Sequence, residues 1–152
     1  MALSGARIRI VLDANVLFSG CAFNKGYPRQ ILDLVATREV CLLINEYIIS
    51  EVVDHLLKKN KRESVTWFFG FLSSAYVELV AVPSPNQVES NLHLVPRDPK
   101  DVPIVITALN SNADYLVSGD KHINSHDEST IHIDSLITVL TPKEFIEKNF
   151  QK

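Results

Sequence analysis

Cysteine is scarce in this chain. Cys21 and Cys41 stand alone, outside any CxxC or Cys/His spacing. Neither a disulfide framework nor a thiolate zinc site is indicated, and the two thiols read as free, buried, small hydrophobes of a reducing compartment. Long apolar runs are missing too: no stretch approaches the ~20 residues of a membrane span. The N-terminal Met1-Ala2-Leu3-Ser4-Gly5-Ala6-Arg7 has no basic start followed by an apolar stretch, so no secretory signal is expected and the cytoplasm is the expected compartment. Excess positive charge is also absent. A net charge of -3 gives no global attraction to nucleic acid, so a polyanionic substrate would need a bound cation and a local basic patch. No internal repeat, low-complexity tract or linker divides the chain. What it does have is 152 residues, 46% of them hydrophobic, enough for a sizeable core and a single domain over residues 1–152.

Strands and helices alternate in the pattern. A β-branched run at about residues 7–12 ends on Asp13-Ala14-Asn15. Tyr27-Pro28-Arg29 opens a helix with Ile31, Leu32, Leu34 and Val35 on its apolar face, ending near Arg38. Val40-Cys41-Leu42-Leu43-Ile44 reads as a strand, and Asn45 as the N-cap of the next helix. There Ile49, Val52, Val53 and Leu56 repeat at i, i+3, i+4, i+7. Lys58, Lys59, Lys61 and Arg62 form a basic turn. Residues 63–74 predict a helix dense in aromatics (Trp67, Phe68, Phe69, Phe71), suited to a core or a dimer interface rather than to base stacking. A third strand follows at 77–82, then a proline-rich connection at 83–100 with a helix around 88–92. Asp101 caps a helix striped by Val102, Val105, Ile106 and Leu109, with Pro103 tolerable in its first turn. A fourth strand is expected at 115–117 and a polar loop at 121–129. Ile131-His132-Ile133 and residues 137–140 are short strand candidates, and Thr141-Pro142-Lys143-Glu144 starts a last helix with Phe145, Ile146 and Phe150. Such alternation predicts an α/β fold with a central parallel sheet flanked by helices on both faces.

Four carboxylates stand out as candidates for one site: Asp13, Glu51, Asp101 and Asp120. Asp13 follows the first strand, and Asp120 follows the fourth in Ser118-Gly119-Asp120. If these strands are neighbours, both acids reach the carboxyl edge of the sheet, where α/β folds bind ligands. Hard cations such as Mg²⁺ take oxygen ligands and keep several waters, so a few carboxylates suffice. Gathered carboxylates repel one another, which calls for a functional reason. Each acid also has a plainer reading. Asp13 and Asp120 suit turns, Asp101 suits an N-cap, and Glu51 could lie in solvent with an i,i+4 contact to His55. Asp98 competes with Asp101. His122, His126 and His132 match no strong metal spacing, and His55 and His93 read as surface residues.

The order of these segments resembles the PIN-domain family, and most closely the branch of toxins from bacterial and archaeal toxin–antitoxin pairs. The matching segments are Val11-Leu12-Asp13-Ala14-Asn15-Val16-Leu17-Phe18-Ser19, then Ile48-Ile49-Ser50-Glu51-Val52. Next come Asp98-Pro99-Lys100-Asp101-Val102-Pro103-Ile104 leading into Ala108-Leu109, and Ala113-Asp114-Tyr115-Leu116-Val117-Ser118-Gly119-Asp120-Lys121. The closing Val139-Leu140-Thr141-Pro142-Lys143-Glu144-Phe145 also fits. The resemblance implies a metal-dependent ribonuclease using Mg²⁺ or Mn²⁺, with Asp13, Glu51, Asp101 and Asp120 as the pocket acids. It implies that Asn15 and Ser118 orient those acids or the water. It further implies RNA as substrate, an antitoxin protein as partner and a homodimer or higher oligomer. The sequence departs from the family after Asp120, where two expected leucines are replaced within Lys121-His122-Ile123-Asn124.

Two other readings compete. A haloacid dehalogenase-like phosphatase also places an aspartate after its first strand, but needs a second one two residues later, where Asn15 stands. A non-cleaving RNA- or protein-binding scaffold of the same fold is the other. The basic turn of Lys58, Lys59, Lys61 and Arg62 is the candidate RNA contact, against the alternative of a solvated turn.

Overall fold

In the computed structural model, residues 7–95, 98–119 and 131–151 are described. Five strands, β1 (Ile8–Leu12), β2 (Val40–Ile44), β3 (Val77–Leu79), β4 (Tyr115–Val117) and β5 (Thr138–Leu140), form one parallel sheet in the order β3-β2-β1-β4-β5. The helices are α1 (Ala14–Ala22), α2 (Tyr27–Ala36), α3 (Glu46–Lys58), α4 (Arg62–Ser74), α5 (Pro85–Ser90), α6 (Val102–Asn110), α7 (Ile131–Leu136) and α8 (Pro142–Phe150). Every residue of β2 is buried, which requires cover on both faces and explains its unbroken apolar run. Right-handed crossovers send α1 to α4 to one face and α5 and α6 to the other. Consistent with this, α6 packs on β1 and β4, while α8 packs on α2.

The order reverses at β1. From there the chain moves outward through β2 and β3, then returns to lay β4 on the other side of β1, with Leu12 opposite Val117. The expected neighbourhood of strands 1 and 4 is therefore present. The carboxyl ends of β1 and β4 lie side by side at the switch point, where a crevice opens in such sheets.

Local signals account for most boundaries. Asn45 caps α3, its side chain accepting from the Ile48 N–H at 3.1 Å. Thr141 and Glu144 form a reciprocal capping box on α8,. Cys21 and Cys41 are free and buried, and burial pushes the Cys21 thiol up to about 12. Phe68 and Phe71 enter the core, Trp67 is half-buried against Phe71, and Phe69 stays exposed.

Three expectations need correction. Residues 14–22 form a helix that the sequence reading did not include. Its buried residues Val16, Leu17, Gly20 and Cys21 fall on one helical face, and Gly20 lets α2 approach, since a Cβ there would meet the Leu32 side chain at 2.6 Å and the Pro28 carbonyl oxygen at 3.2 Å. The strand expected at Ile131-His132-Ile133 is instead α7. Ile133 and Ile137 are buried four residues apart, and the Ile137 N–H bonds to the Ile133 carbonyl at 2.9 Å, which is helical rather than alternating periodicity. The third strand is shorter than expected, ending at Leu79. The polar loop at 121–129 lies outside the described residues.

Candidate active site

Asp13 is the N-cap of α1, directly beyond β1. Its backbone N–H bonds to the Val117 carbonyl at 3.1 Å, extending the sheet by one rung. One carboxylate oxygen accepts from the Val16 N–H at 2.9 Å; the other accepts from the Ser118 hydroxyl. Asp13 is 3% exposed and Ser118 fully buried. The plain capping reading of Asp13 is thus correct as far as it goes. The same carboxylate also lies at the floor of a cleft of about 160 Å³ lined by Asp13, Ala14, Asn15, Glu51, Asp98, Lys100, Asp101 and Ile104. Ser118 is held in turn by its N–H to the Leu140 carbonyl at 2.9 Å. It stands behind Asp13 and fixes that carboxylate's orientation.

Glu51 and Asp101 come to this cleft from opposite faces of the sheet. Glu51 lies on α3, and its expected partner His55 turns elsewhere, stacking on Phe18 of α1 with ring centroids 4.0 Å apart. His55 is accordingly half-buried rather than a plain surface residue. Asp101 occupies the N-cap position of α6, but its side chain makes no capping bond to that helix. It closes a 3₁₀ turn, Pro99–Asp101. Asp98 lines the cleft alongside Asp101, so the two compete as neighbours rather than alternatives. Asp120, His122 and His126, and the side chain of His132, lie outside the described residues.

Two residues at the site were missed by the sequence reading. Tyr47 of α3 donates its hydroxyl to the Lys100 carbonyl at 2.7 Å. Burial, then hydrogen bonding of the hydroxyl to the accepting Glu51 carboxylate and that group's charge, then the charges of Asp101 and Asp98, push its phenol above the ordinary range. Tyr47 therefore ties the Asp98–Asp101 turn to the helix bearing Glu51. The available signal was spacing: Tyr47 and Glu51 are four apart and share a helix face. Lys100 is the other, a cation at the cleft wall. Its role follows only from the tertiary turn that carries it.

A buried neutral bridge spans the two faces behind these acids. The Asn45 side-chain amide donates to the Thr107 hydroxyl at 2.9 Å, and that hydroxyl donates to the Pro103 carbonyl at 2.6 Å. The N-terminus of α3 is thereby joined to α6.

The basic turn lies at the other end of α3. Lys58 ends α3, Lys59 follows it, Lys61 precedes α4 and Arg62 opens α4. Asn60, Lys61, Arg62, Glu63, Ser64 and Ala22 line an open pocket there, of about 690 Å³. These cations and the acid cleft are separate sites, seven residues apart from Glu51 to Lys58, or ~10 Å along the helix.

Oxygen donors on Asp13, Glu51 and Asp101 suit a hard cation such as Mg²⁺ or Mn²⁺, which keeps several waters and needs only one or two protein carboxylates. Among the described residues, no three acidic, histidine or cysteine side chains are gathered tightly enough to enclose an ion. An open, water-retaining site is the form these residues fit.

Fold and cleft together define an α/β protein with an acidic crevice at the switch point of a parallel sheet. The chain belongs to the PIN domain family, whose pattern it matches over residues 9–122. It is 30% identical over 151 residues to uncharacterized protein MJ1680 of Methanocaldococcus jannaschii, covering 96% of this chain and 94% of that one. In fold it is similar to VapBC2 from Rickettsia felis, solved bound to a DNA fragment from their promoter (TM-score 0.61, 15% identity, 88% of this chain and 98% of that one). It is also similar to PAE2754 from Pyrobaculum aerophilum (TM-score 0.59, 15% identity, 94% and 97%) and to FitAcB from Neisseria gonorrhoeae (TM-score 0.53, 16% identity, 88% and 98%).

Proposed function

We propose that the chain is a metal-dependent endoribonuclease, built as one domain over residues 1–152, and the toxin of a toxin–antitoxin pair. The observation that supports this most is the arrival of Asp13, Glu51 and Asp101 at one cleft from three different elements. Membership of the PIN domain family supports a nuclease. The likeness in fold to VapBC2 and FitAcB is in keeping with the toxin reading and with an antitoxin partner.

In this reading Asp13, Glu51, Asp101 and Asp120 hold Mg²⁺ or Mn²⁺. A bound ion of this kind supplies an activated water and offsets charge building on the phosphoryl group. Ser118 and the Val16 N–H keep the Asp13 carboxylate in one rotamer. Asn15, exposed at the cleft mouth, orients the attacking water or a phosphate oxygen. Tyr47 holds the Asp98–Asp101 turn against α3. Lys58, Lys59, Lys61 and Arg62 attract the RNA backbone. The protein works in the cytoplasm as a homodimer or higher oligomer.

A second reading, a non-cleaving scaffold, draws on the loose spacing of the described acids. Incubating pure protein with unstructured RNA in Mn²⁺ and in chelator separates the two. Cleavage in Mn²⁺ alone is expected, and tight RNA binding with intact RNA would favour the scaffold. The Asp120→Asn variant gives the matching control: cleavage should fall by orders of magnitude while the melting temperature in chelator holds or rises, as like-charge repulsion is relieved. Full cleavage by that variant would remove Asp120 from the site.

A further inference from the structure

Helices α1 and α3 run side by side in the same direction. Asn15, in the first turn of α1, and Glu51, in the second turn of α3, meet in the acid cleft. Phe18 and His55 stack in the middle, and at the far end the Lys61 ammonium lies 5.4 Å from the centre of the Phe23 ring. Phe23 is 52% exposed, a large apolar ring left at the surface beside Lys61. Its position at the C-cap of α1 is fixed by its N–H to the Ser19 carbonyl at 3.1 Å and by an edge-on contact with Phe18 at 6.4 Å. Aromatic ring, cations and open pocket thus continue one surface away from the acids.

We propose that single-stranded RNA runs from the acid cleft along α1 and α3, stacks a base on Phe23 and sets its phosphates against Lys58, Lys59, Lys61 and Arg62. This rests on the ribonuclease reading and adds a binding subsite to it. From Asp13 to Phe23 is ten residues, or ~15 Å along the helix. That is the length of about four stacked nucleotides at ~3.4 Å each, so the subsite lies a few nucleotides from the scissile bond. A single strand is favoured over a duplex because only unpaired bases offer a free face to an aromatic ring. Nucleic acid is favoured over an apolar protein surface because the Lys61 ammonium lies beside the ring, and a stacking face next to positive charge suits a base and its phosphate together. Sequence preference should be weak, since every base has a stacking face.

The test is binding of a fluorescein-labelled 12-nucleotide oligo(U) RNA by the full chain in chelator, followed by anisotropy. Phe23→Leu keeps apolar bulk but loses the flat face, and should weaken binding by about 5- to 100-fold. Phe23→Tyr should restore it. Charge removal at Lys58, Lys59, Lys61 and Arg62 should flatten the salt dependence, since counterion release sets that slope. Equal affinity of the Phe23→Leu variant, or of a 12-base-pair duplex, would overturn the subsite while leaving Mn²⁺-dependent cleavage untouched. Failure of the unchanged protein both to bind and to cleave RNA would overturn the subsite and the ribonuclease reading together.

Discussion

Carboxylates occupy both ends of this sheet, and the two ends treat them differently. Near the amino end of β1, Arg9 grips Glu78 with both terminal guanidinium nitrogens, at 3.0 and 3.2 Å, and also donates to the Ser111 carbonyl at 3.1 Å. Asp114 accepts the Arg9 backbone N–H at 2.8 Å, while its own N–H bonds to the Arg9 carbonyl at 2.7 Å. Each acid there meets a donor that stabilises its charge, so each serves the fold. At the carboxyl end, Asp13, Glu51, Asp98 and Asp101 line one cleft with a single cation among its lining residues, Lys100. Four acids to one cation is a poor arrangement for stability and a good one for attracting a metal. The difference separates acids matched to a cation or donor within the fold from acids that outnumber the cation beside them, which is the contrast the proposed metal site rests on.

The sharpest way to break this comparison is Asp13→Asn. Asparagine can still accept from the Val16 N–H and can donate to the Ser118 oxygen, so the fold should survive. Cleavage in Mn²⁺ should fall by ~10²-fold or more, because the charge offered to the metal is gone. An active variant would make Asp13 an N-cap and nothing else. Next in size is Tyr47→Phe, which removes the bond to the Lys100 carbonyl. Groups that orient ligating carboxylates typically cost 10- to 100-fold when removed, and a loss of about 10-fold is expected, with a higher Mn²⁺ requirement. Unchanged metal dependence would reduce Tyr47 to packing.

At the structural end the effects should be smaller and of another kind. Arg9→Met should lower stability by about 1 kcal/mol, since partly exposed ion pairs contribute little, and should leave cleavage unchanged. Loss of activity with stability intact would show that the two ends are coupled. The smallest effect concerns pH. The Arg9 hydrogen bond holds the Glu78 carboxyl below its ordinary 4.5. Its contribution is complete above that value and is lost as pH falls through the lowered one. Melting temperatures should therefore decline in acid, and Glu78→Gln should make that decline shallower.

Much of this division was legible in the residues. The run Val40–Ile44 with Asn45 behind it could only be a buried strand feeding a capped helix. Thr141 and Glu144 announced α8 by their spacing. Asp13, Glu51 and Asp101 were recognisable as candidates from their places in the motifs, although nothing in the residues placed them in one cleft. What escaped the pattern depended on packing. Helix α1 was obscured by Asn15, Ser19 and Gly20, poor helix formers that are tolerated because α1 is clamped between α2 and α3. Tyr47 went unread because the Lys100 carbonyl that its hydroxyl meets is brought to it only by the tertiary fold. Ile131 and Ile133 alternate as a strand would, but burial four residues apart at Ile133 and Ile137 settled the matter as a helix.

The Asn45–Thr107–Pro103 bridge has a mechanical consequence. Like-charged walls push apart, and a crevice relying on its own acids for width would gape when empty and clamp when filled. Here the hinge side is pinned by uncharged groups deep beneath the mouth, where neither salt nor protonation reaches them. Aperture and charge are thereby independent settings. An acid-to-amide exchange at the rim alters what the crevice attracts and leaves unaltered the size of what can enter.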